Sequence, residues 1–234
     1  MRVSAIIAAY NEEQSIADVL TVLQKSPLVD EILIVSDGST DATVDIARQF
    51  DVRILALREN RGKGQAMRLG VDHAAHDVLF FVDGDMLDLT NEHIEALVRP
   101  VLERKCEMNV GVRHRGPLLD FFHLKLHFGP VLSGIRAMRR AVFETVPAMY
   151  QHRFKIELAL NYFCARAGFR QWNTVIYDLG HVIKENKRGI RKGLSSRWDM
   201  SREVTLLHFD LYLVQSWRWA EPLDQPTSEY DLLE

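Results

Sequence analysis

Cysteine is scarce in this chain: Cys106 and Cys164 are the only two among 234 residues. They form neither a CxxC pair nor a zinc-ligand spacing, which sets aside a disulfide framework and leaves reduced, core-filling thiols of a cytoplasmic protein. Positive charge is not in excess either. With 29 Lys and Arg against 32 Asp and Glu, the formal charge of -3 excludes a general nucleic-acid binder, whose affinity comes from a broad basic surface. Uninterrupted apolar runs of the ~18 residues a membrane helix needs are missing. The most apolar long stretch, LLDFFHLKLHFGPVLSGI, is broken by Asp120, His123, Lys125 and His127. The first residues carry one basic side chain and no convincing cleavage site, so no signal peptide is expected. No Pro/Gly/Ser linker, internal repeat or low-complexity tract divides the chain, and one domain over residues 1–234 is the expectation.

What is present in the first half is an alternation of short apolar runs with helical patterns, the signature of βαβ units and a mainly parallel α/β sheet. Strands are expected at Val3–Ala9, Glu31–Val35, Val52–Leu57 and Val78–Val82, and helices near Glu12–Gln24, Asp41–Phe50, Lys63–Ala74 and Asn91–Arg104. In such sheets ligands bind beyond the carboxyl ends of the strands. The loops that begin at Tyr10, Ser36, Arg58 and Asp83 should therefore converge on one crevice. From about Arg113 the alternation fades into an aromatic and histidine-rich segment read as helix, turn and short strand. A helix at His152–Ala167, a strand at Trp172–Tyr177 and a C-terminal helix from about Ser196 to Trp217 are expected beyond it.

Three stretches carry chemistry-bearing residues at those loops. Asp83-Gly84-Asp85 ends a strand of apolar residues, and two short carboxylates so close repel unless a cation sits between them. Their hard oxygens suit Mg2+ or Mn2+, ions commonly completed by substrate phosphates; the bland reading is a polar strand-end turn. In IVSDGSTDAT, Asp37 lies ahead of a helix start and is the candidate ligand for a base or ribose, whereas Ser39, Thr40 and Asp41 are expected to cap the helix. In ENRGKGQAMRLG, Lys63 stands between two glycines ahead of a helix, a setting that suits a phosphate or the polar edge of a base. No GxxxxGK[ST] occurs, and Met67 replaces the third glycine of GxGxxG, which disfavours P-loop ATPase and NAD-dependent readings.

Together with Ala8-Ala9-Tyr10-Asn11-Glu12, these motifs, in this order, closely resemble family 2 glycosyltransferases of the GT-A nucleotide-sugar fold. The resemblance covers roughly the first half of the chain. It implies a nucleotide-sugar-binding half over residues 1–113 and an acceptor-side half over 114–234. It further implies a pocket lined by Ala8, Tyr10, Glu12, Asp37, Lys63 and Gly84, with Asp83 facing ribose and metal and Asp85 binding the metal that bridges the diphosphate. Ser36 and Ala8 depart from the family's usual Asp and Pro, and UDP and GDP both stay open as the nucleotide.

The second half is read more thinly. Between Lys184 and Arg197 six basic residues, Arg191 among them, gather around two glycines, a composition suited to closing over phosphates or touching anionic lipid headgroups. His181, just before that run, is a candidate third metal ligand, as in many GT-A enzymes. Glu157 is the candidate catalytic base, although the family's usual Glu-Asp pair is absent because Leu158 follows; an acceptor that is already an anion needs no base. Ser133, Gly134 and Arg136 resemble an acceptor-side segment of short family members, including those that glycosylate polyprenyl phosphates. The Phe121–Phe128 stretch could touch lipid or pack in the core. Gln215-Ser216-Trp217-Arg218-Trp219 matches a Q-x-x-R-W pattern of processive relatives and is read as coincidental.

The expectation is thus a metal-dependent glycosyltransferase that uses a UDP- or GDP-sugar and an unidentified acceptor, phosphate-bearing or lipid-linked. A peripheral membrane contact and a homodimer are left open. The alternatives are a sugar-1-phosphate nucleotidyltransferase, disfavoured because its glycine-rich opening loop is absent, and a non-catalytic nucleotide-sugar-binding protein.

Overall fold

The computed structural model describes residues 1–114, 133–151 and 155–181. Lys184, Arg191 and the rest of the basic run, the Phe121–Phe128 stretch, the Trp217–Trp219 segment and the expected C-terminal helix lie outside the described residues. In chain order the first elements are β1 (Val3–Ala9), α1 (Ile16–Lys25), β2 (Glu31–Ser36), α2 (Thr43–Ala47), β3 (Arg53–Ala56), α3 (Lys63–His73) and β4 (Val78–Asp83). There follow β5 (Met86–Leu87), α4 (Asn91–Leu102), β6 (Met108–Arg113), β7 (Arg136–Arg139), α5 (Arg140–Glu144), α6 (Lys155–Arg166), β8 (Gln171–Ile176) and β9 (Gly180–His181).

Strands apolar on both faces belong in the middle of a parallel sheet with helices on either side. The β1 strand, VSAIIAA, is buried almost throughout and holds that position. It pairs in parallel with β2 on one side and with β4 on the other, and β3 extends the sheet beyond β2. Past β4 come β7, β6 and β8, giving the order β3-β2-β1-β4-β7-β6-β8, in which β7 alone runs against the rest. Because β2 and β3 lie to one side of β1 while β4 lies to the other, the strand order reverses at β1/β4. That reversal opens a crevice at the carboxyl ends of those two strands.

Side chains alternate between the two faces of a strand, and the alternation sorts the core into two layers. Val3, Ala5, Ile7, Val78, Phe80 and Val82 pack with α1, α2 and α4. Ile6, Leu79 and Phe81 pack with α3, α5 and α6. Each large apolar side chain buried in this way contributes roughly 1.5–3 kcal/mol. Asp83 is in phase with Leu79 and Phe81, so the strand directs it to the layer of α3 and α6.

Most elements lie where the sequence places them, but several differ; the short helix Arg140–Glu144 is unexpected. The first helix starts at Ile16 rather than Glu12, because Asn11 takes a positive φ of 56° and Glu12 closes a turn onto Ser15 and Ile16. The second helix is only Thr43–Ala47, and its cap position is Ala42, which offers no side-chain cap. Asp41 does serve the helix start, its Oδ1 accepting the Thr43 N–H at 3.0 Å, but Ser39, the Thr40 backbone and the other Asp41 oxygen bond the loop after β1. The Asn11 N–H donates to Ser39 Oγ, the Thr40 N–H to Asn11 Oδ1 and the Glu13 N–H to Asp41 Oδ2. Strand β6 is unexpected; its MNVGVR sequence is interrupted by Asn109 and Gly111, and the ladders to β7 and β8 complete it.

Pro100 lies inside α4 and removes the N–H that would otherwise bond the Ala96 carbonyl. The buried Asn109 side chain, from β6, supplies the missing donor at 3.1 Å and bonds the Leu97 carbonyl as well. A sequence irregularity in the helix is thus offset by a polar side chain in the sheet. Cys106 and Cys164 are both free and buried, as expected. Burial pushes their thiols up to about 11 and about 12 respectively, which makes them inert fillers. No helix of the described residues is long and apolar enough to cross a membrane.

Candidate active site

The carboxyl ends of β1, β2 and β4 and the start of α3 meet in one place. The loop after β1 is stitched to the loop after β2 by the bonds of Asn11 and Glu13 and by the Glu12 N–H, which donates to Thr43 Oγ1 at 2.8 Å. It is tied to the β4 tip through the buried Ser15 hydroxyl, which donates to the Gly84 carbonyl at 2.7 Å. Tyr10 is half-buried just beyond β1, and Ala8 aligns with Asp83 in the β1–β4 ladder. Glu12 is 7% exposed and its side chain lies against Gly84. Four of the expected motifs therefore share one region.

Asp37 is in that region but its oxygens face the protein. They accept the backbone N–H groups of Arg61 and Gly62 at 2.7 and 2.8 Å, and the residue is 3% exposed. Burial raises its carboxyl above the usual range despite those bonds. Gly38 makes the same junction possible. It takes φ +71°, and a Cβ there would stand 2.5 Å from the Glu59 carbonyl carbon, so only glycine lets the loop leading to α3 approach this closely. Asp37 thus fixes the loop that presents Lys63.

Lys63 opens α3, and its ammonium lies 2.6 Å from Asp83 Oδ1 and 2.6 Å from Glu157 Oε1. The side chains of Lys63, Asp83 and Glu157 are 19%, 21% and 9% exposed. Burial works to lower the ammonium's proton affinity, but the two carboxylates outweigh it and hold the lysine above its ordinary value, firmly charged. Asp83 is pushed up, first by burial and then by the nearby Glu157 and Asp85 carboxylates, against the pull of Lys63. Asp85 is 7% exposed.

From the far side of β4 comes the turn before β7. Phe81 pairs with Arg136 in the antiparallel ladder, and two more residues of the same register bring Gly134 opposite Asp83. A Cβ on Gly134 would lie 1.8 Å from Asp83 Oδ2. Arg136 departs from the role expected of it. Its guanidinium has no exposed surface and is directed inward. Nε and Nη2 donate to the Ser133 carbonyl, while Nη1 donates to the Glu157 carbonyl and to Asn161 Oδ1. A side chain so enclosed cannot meet an acceptor at the surface; it fastens the Ser133–Gly134 turn to α6 from below. The sequence reading also missed the ribbon in which β5 pairs with β9. That ribbon sets the His181 backbone opposite Met86, next to Asp85 in sequence. The His181 side chain lies outside what the structure describes.

Asp83 and Asp85 offer the hard oxygens that Mg2+ or Mn2+ takes. Among the described residues no group of three His, Cys, Asp or Glu is arranged to hold a metal by itself. The donor set fits a metal completed by a ligand's phosphates, since Mg2+ is commonly held by one or two carboxylates together with phosphate oxygens.

The family model described as Glycosyl transferase family 2 matches residues 4–172. A dolichyl-phosphate beta-glucosyltransferase of Drosophila melanogaster is 41% identical over 101 residues, covering 36% of this chain and 31% of that protein. A dodecaprenyl-phosphate galacturonate synthase of Rhizobium johnstonii is 31% identical over 123 residues, covering 48% of this chain and 36% of that protein. The chain thus matches only about a third of the length of these curated relatives. Among solved structures, glucosyl-3-phosphoglycerate synthase from Mycobacterium tuberculosis, in complex with Mn2+, UDP-glucose and phosphoglyceric acid, superposes with a TM-score of 0.73 at 22% identity. It covers 89% of this chain and 79% of that one, a likeness of fold.

Proposed function

The chain belongs to glycosyl transferase family 2, and we propose that it transfers a sugar from a nucleoside-diphosphate sugar to a phosphate-bearing acceptor with the help of Mg2+ or Mn2+. The observation that carries the reading is the placement of Asp83. It sits at the strand-order reversal, beside Asp85, with Lys63 and Glu157 in contact range. Asp83 and Asp85 would hold the metal, with His181 as a further candidate brought near by the β5–β9 ribbon. When bound there, a divalent cation supplies positive charge to the diphosphate that leaves the anomeric carbon.

The chain's own residues do the positioning. The Asp37 brace and Gly38 fix the loop before α3, and α3 delivers Lys63 to the β4 tip. The Gly134 turn leaves room for the Asp83 carboxylate and bounds it on the β7 side. Preorganised charges of this kind cost no rearrangement when charge develops on the leaving group. Lys184 and Arg191 are proposed to reach the phosphates from the basic run.

Two considerations support a phosphate-bearing acceptor. Glu157, the candidate base, is held by the Lys63 ammonium at 2.6 Å, which disfavours its taking a proton; a phosphate oxygen is anionic near neutral pH and needs no base. The relatives named above are described by dolichyl phosphate and dodecaprenyl phosphate, whose phosphate would be the attacking group; the phosphoglyceric acid of the solved neighbour is phosphate-bearing but offers a hydroxyl to the sugar. The donor nucleotide in that neighbour is UDP-glucose, which makes UDP the first choice over GDP here.

Calorimetry of UDP and GDP with and without Mn2+, on the wild-type chain and on Asp85→Ala, tests the donor site. Metal-dependent binding that Asp85→Ala abolishes is expected, and equal affinity in both proteins would sink the assignment. Incubation with labelled UDP-sugars and either a polyprenyl phosphate or phosphoglycerate then tests the acceptor. Label should move to one of the two; transfer only to neutral hydroxyl acceptors would refute the acceptor class.

A further inference from the structure

The pairing at Lys63 does more than neutralise charge. Asp83 belongs to β4 and Glu157 to α6, and the same ammonium lies 2.6 Å from an oxygen of each. The two oxygens therefore stand within twice that distance of each other, with Asp85 two residues beyond Asp83. They cannot readily spread apart. Gly134 packs against the Asp83 carboxylate on one side, and Arg136 grips the main chain of α6 at Glu157 on the other. Three carboxylates, Asp83, Asp85 and Glu157, thus face two cations, Lys63 and the enclosed Arg136.

Carboxylate oxygens are the ligands that divalent cations take, at about 2.0–2.6 Å, although as they stand these three are not arranged to hold one by themselves. An ammonium is a compact point charge able to stand in the same place. We propose that Lys63 is a positioning residue that competes with the divalent cation for Asp83. By engaging Asp83 and Glu157 it keeps their oxygens from closing, with Asp85, into a tight three-carboxylate cation site. A divalent cation at Asp83 and Asp85 would then be held weakly without the oxygens of a donor diphosphate, so that metal and donor would bind together. Glu157 has a part in this exchange. It is the second anchor that draws the ammonium off Asp83, and it keeps Lys63 paired when Asp83 turns to the metal. The inference rests on the reading of Asp83 and Asp85 as the metal-holding pair.

Mn2+ binding to the full chain, followed by the loss of the free-ion electron paramagnetic resonance signal with and without UDP, tests it without recourse to turnover. Lys63→Met should bind Mn2+ on the order of tenfold more tightly than wild type in the absence of UDP, since it removes an opposing charge in contact with a ligand, while sugar transfer falls. Lys63→Arg, which keeps the charge, should restore weak binding. Glu157→Gln should act in the opposite direction and weaken Mn2+ binding, because the ammonium is left with Asp83 alone; this variant decides the matter should Lys63→Met not fold. A folded Lys63→Met that binds Mn2+ no more tightly than wild type, or a Glu157→Gln that binds it as tightly or more so, overturns the role given to Lys63 while Asp85-dependent binding leaves the functional reading intact. A wild-type chain that takes up no Mn2+ even with UDP brings both down together.

Discussion

Gly134 and the Asp83 carboxylate occupy adjoining space so completely that a methyl group on Gly134 would lie 1.8 Å from Asp83 Oδ2. The two residues come from different halves of the chain, and the β4–β7 ladder sets them opposite one another. Gly134→Ala must therefore displace either the strand tip or the turn. Overpacking of this kind costs about 1–3 kcal/mol, so a fall of several degrees in Tm is expected. Mn2+-dependent UDP affinity should drop by more than the stability loss explains. Unchanged affinity in calorimetry would mean that the position of Asp83 does not matter to the metal.

Arg136 offers a contrast between two roles that kinetics and denaturation can separate. Replacement by Met takes both guanidinium donors from the Ser133 carbonyl and the extra donor from the Glu157 carbonyl, which keeps its helix bond. The expected cost is about 3 kcal/mol, the sum of a few lost bonds to a charged donor. Urea unfolding measures it. A residue that only gripped the acceptor would instead raise KM and leave the urea midpoint where it was.

Asp37 makes a second structural prediction close to the site. Asparagine can accept only one of the two N–H groups that the carboxylate receives from Arg61 and Gly62. Asp37→Asn should cost about 1–2 kcal/mol and speed hydrogen exchange at the amides of Arg61 and Gly62. Donor affinity should fall as a consequence, because that loop presents Lys63. Exchange at both amides as slow as in wild type would return Asp37 to the role of a base ligand.

Glu31 gives a pH dependence of known sign. Its carboxylate accepts from the Ser4 hydroxyl and the Ala75 N–H and pairs with Arg53 at 2.6 Å. Burial works to raise its proton affinity, but these partners outweigh it, and the folded protein holds Glu31 below its ordinary value. A depressed carboxylate adds stability above its unfolded pKa, and that stability is lost as the pH falls through the folded one. Wild type should exceed Glu31→Gln in unfolding free energy by about 1–2 kcal/mol at neutral pH, and the two should converge in acid. A gap that stays constant down to acid pH would contradict it.

The strands and helices of the first half are legible because they depend on local pattern. β1, β2 and β4 are apolar runs ending at polar loops, and the rule that ligands gather at such ends places Tyr10, Asp37, Lys63 and Asp83 near one another before any coordinates exist. β6 is less legible, since its alternation of Met108, Val110 and Val112 is short and broken by Gly111, and β7 and β8 are what fix it in the sheet. The capping expected of Ser39, Thr40 and Asp41 is met only by Asp41, which bonds the Thr43 N–H with one oxygen and the Glu13 N–H with the other. The Ser39 hydroxyl could serve its own helix or a distant loop, and it bonds the Asn11 N–H, 28 residues away in sequence.

By itself the sequence determined the residue types available for chemistry, the alternation that makes a parallel sheet, and the order of the motifs along it, because each of these is a property of neighbours in the chain. Tertiary structure alone decided what each charge does. It turned Arg136 inward, spent Asp37 on a loop, and joined Asp83 to Glu157 through one ammonium. Those outcomes depend on which groups from remote elements come within a few ångströms once the sheet has formed. Charges and hydrogen bonds act over those distances in space, whatever the separation along the chain.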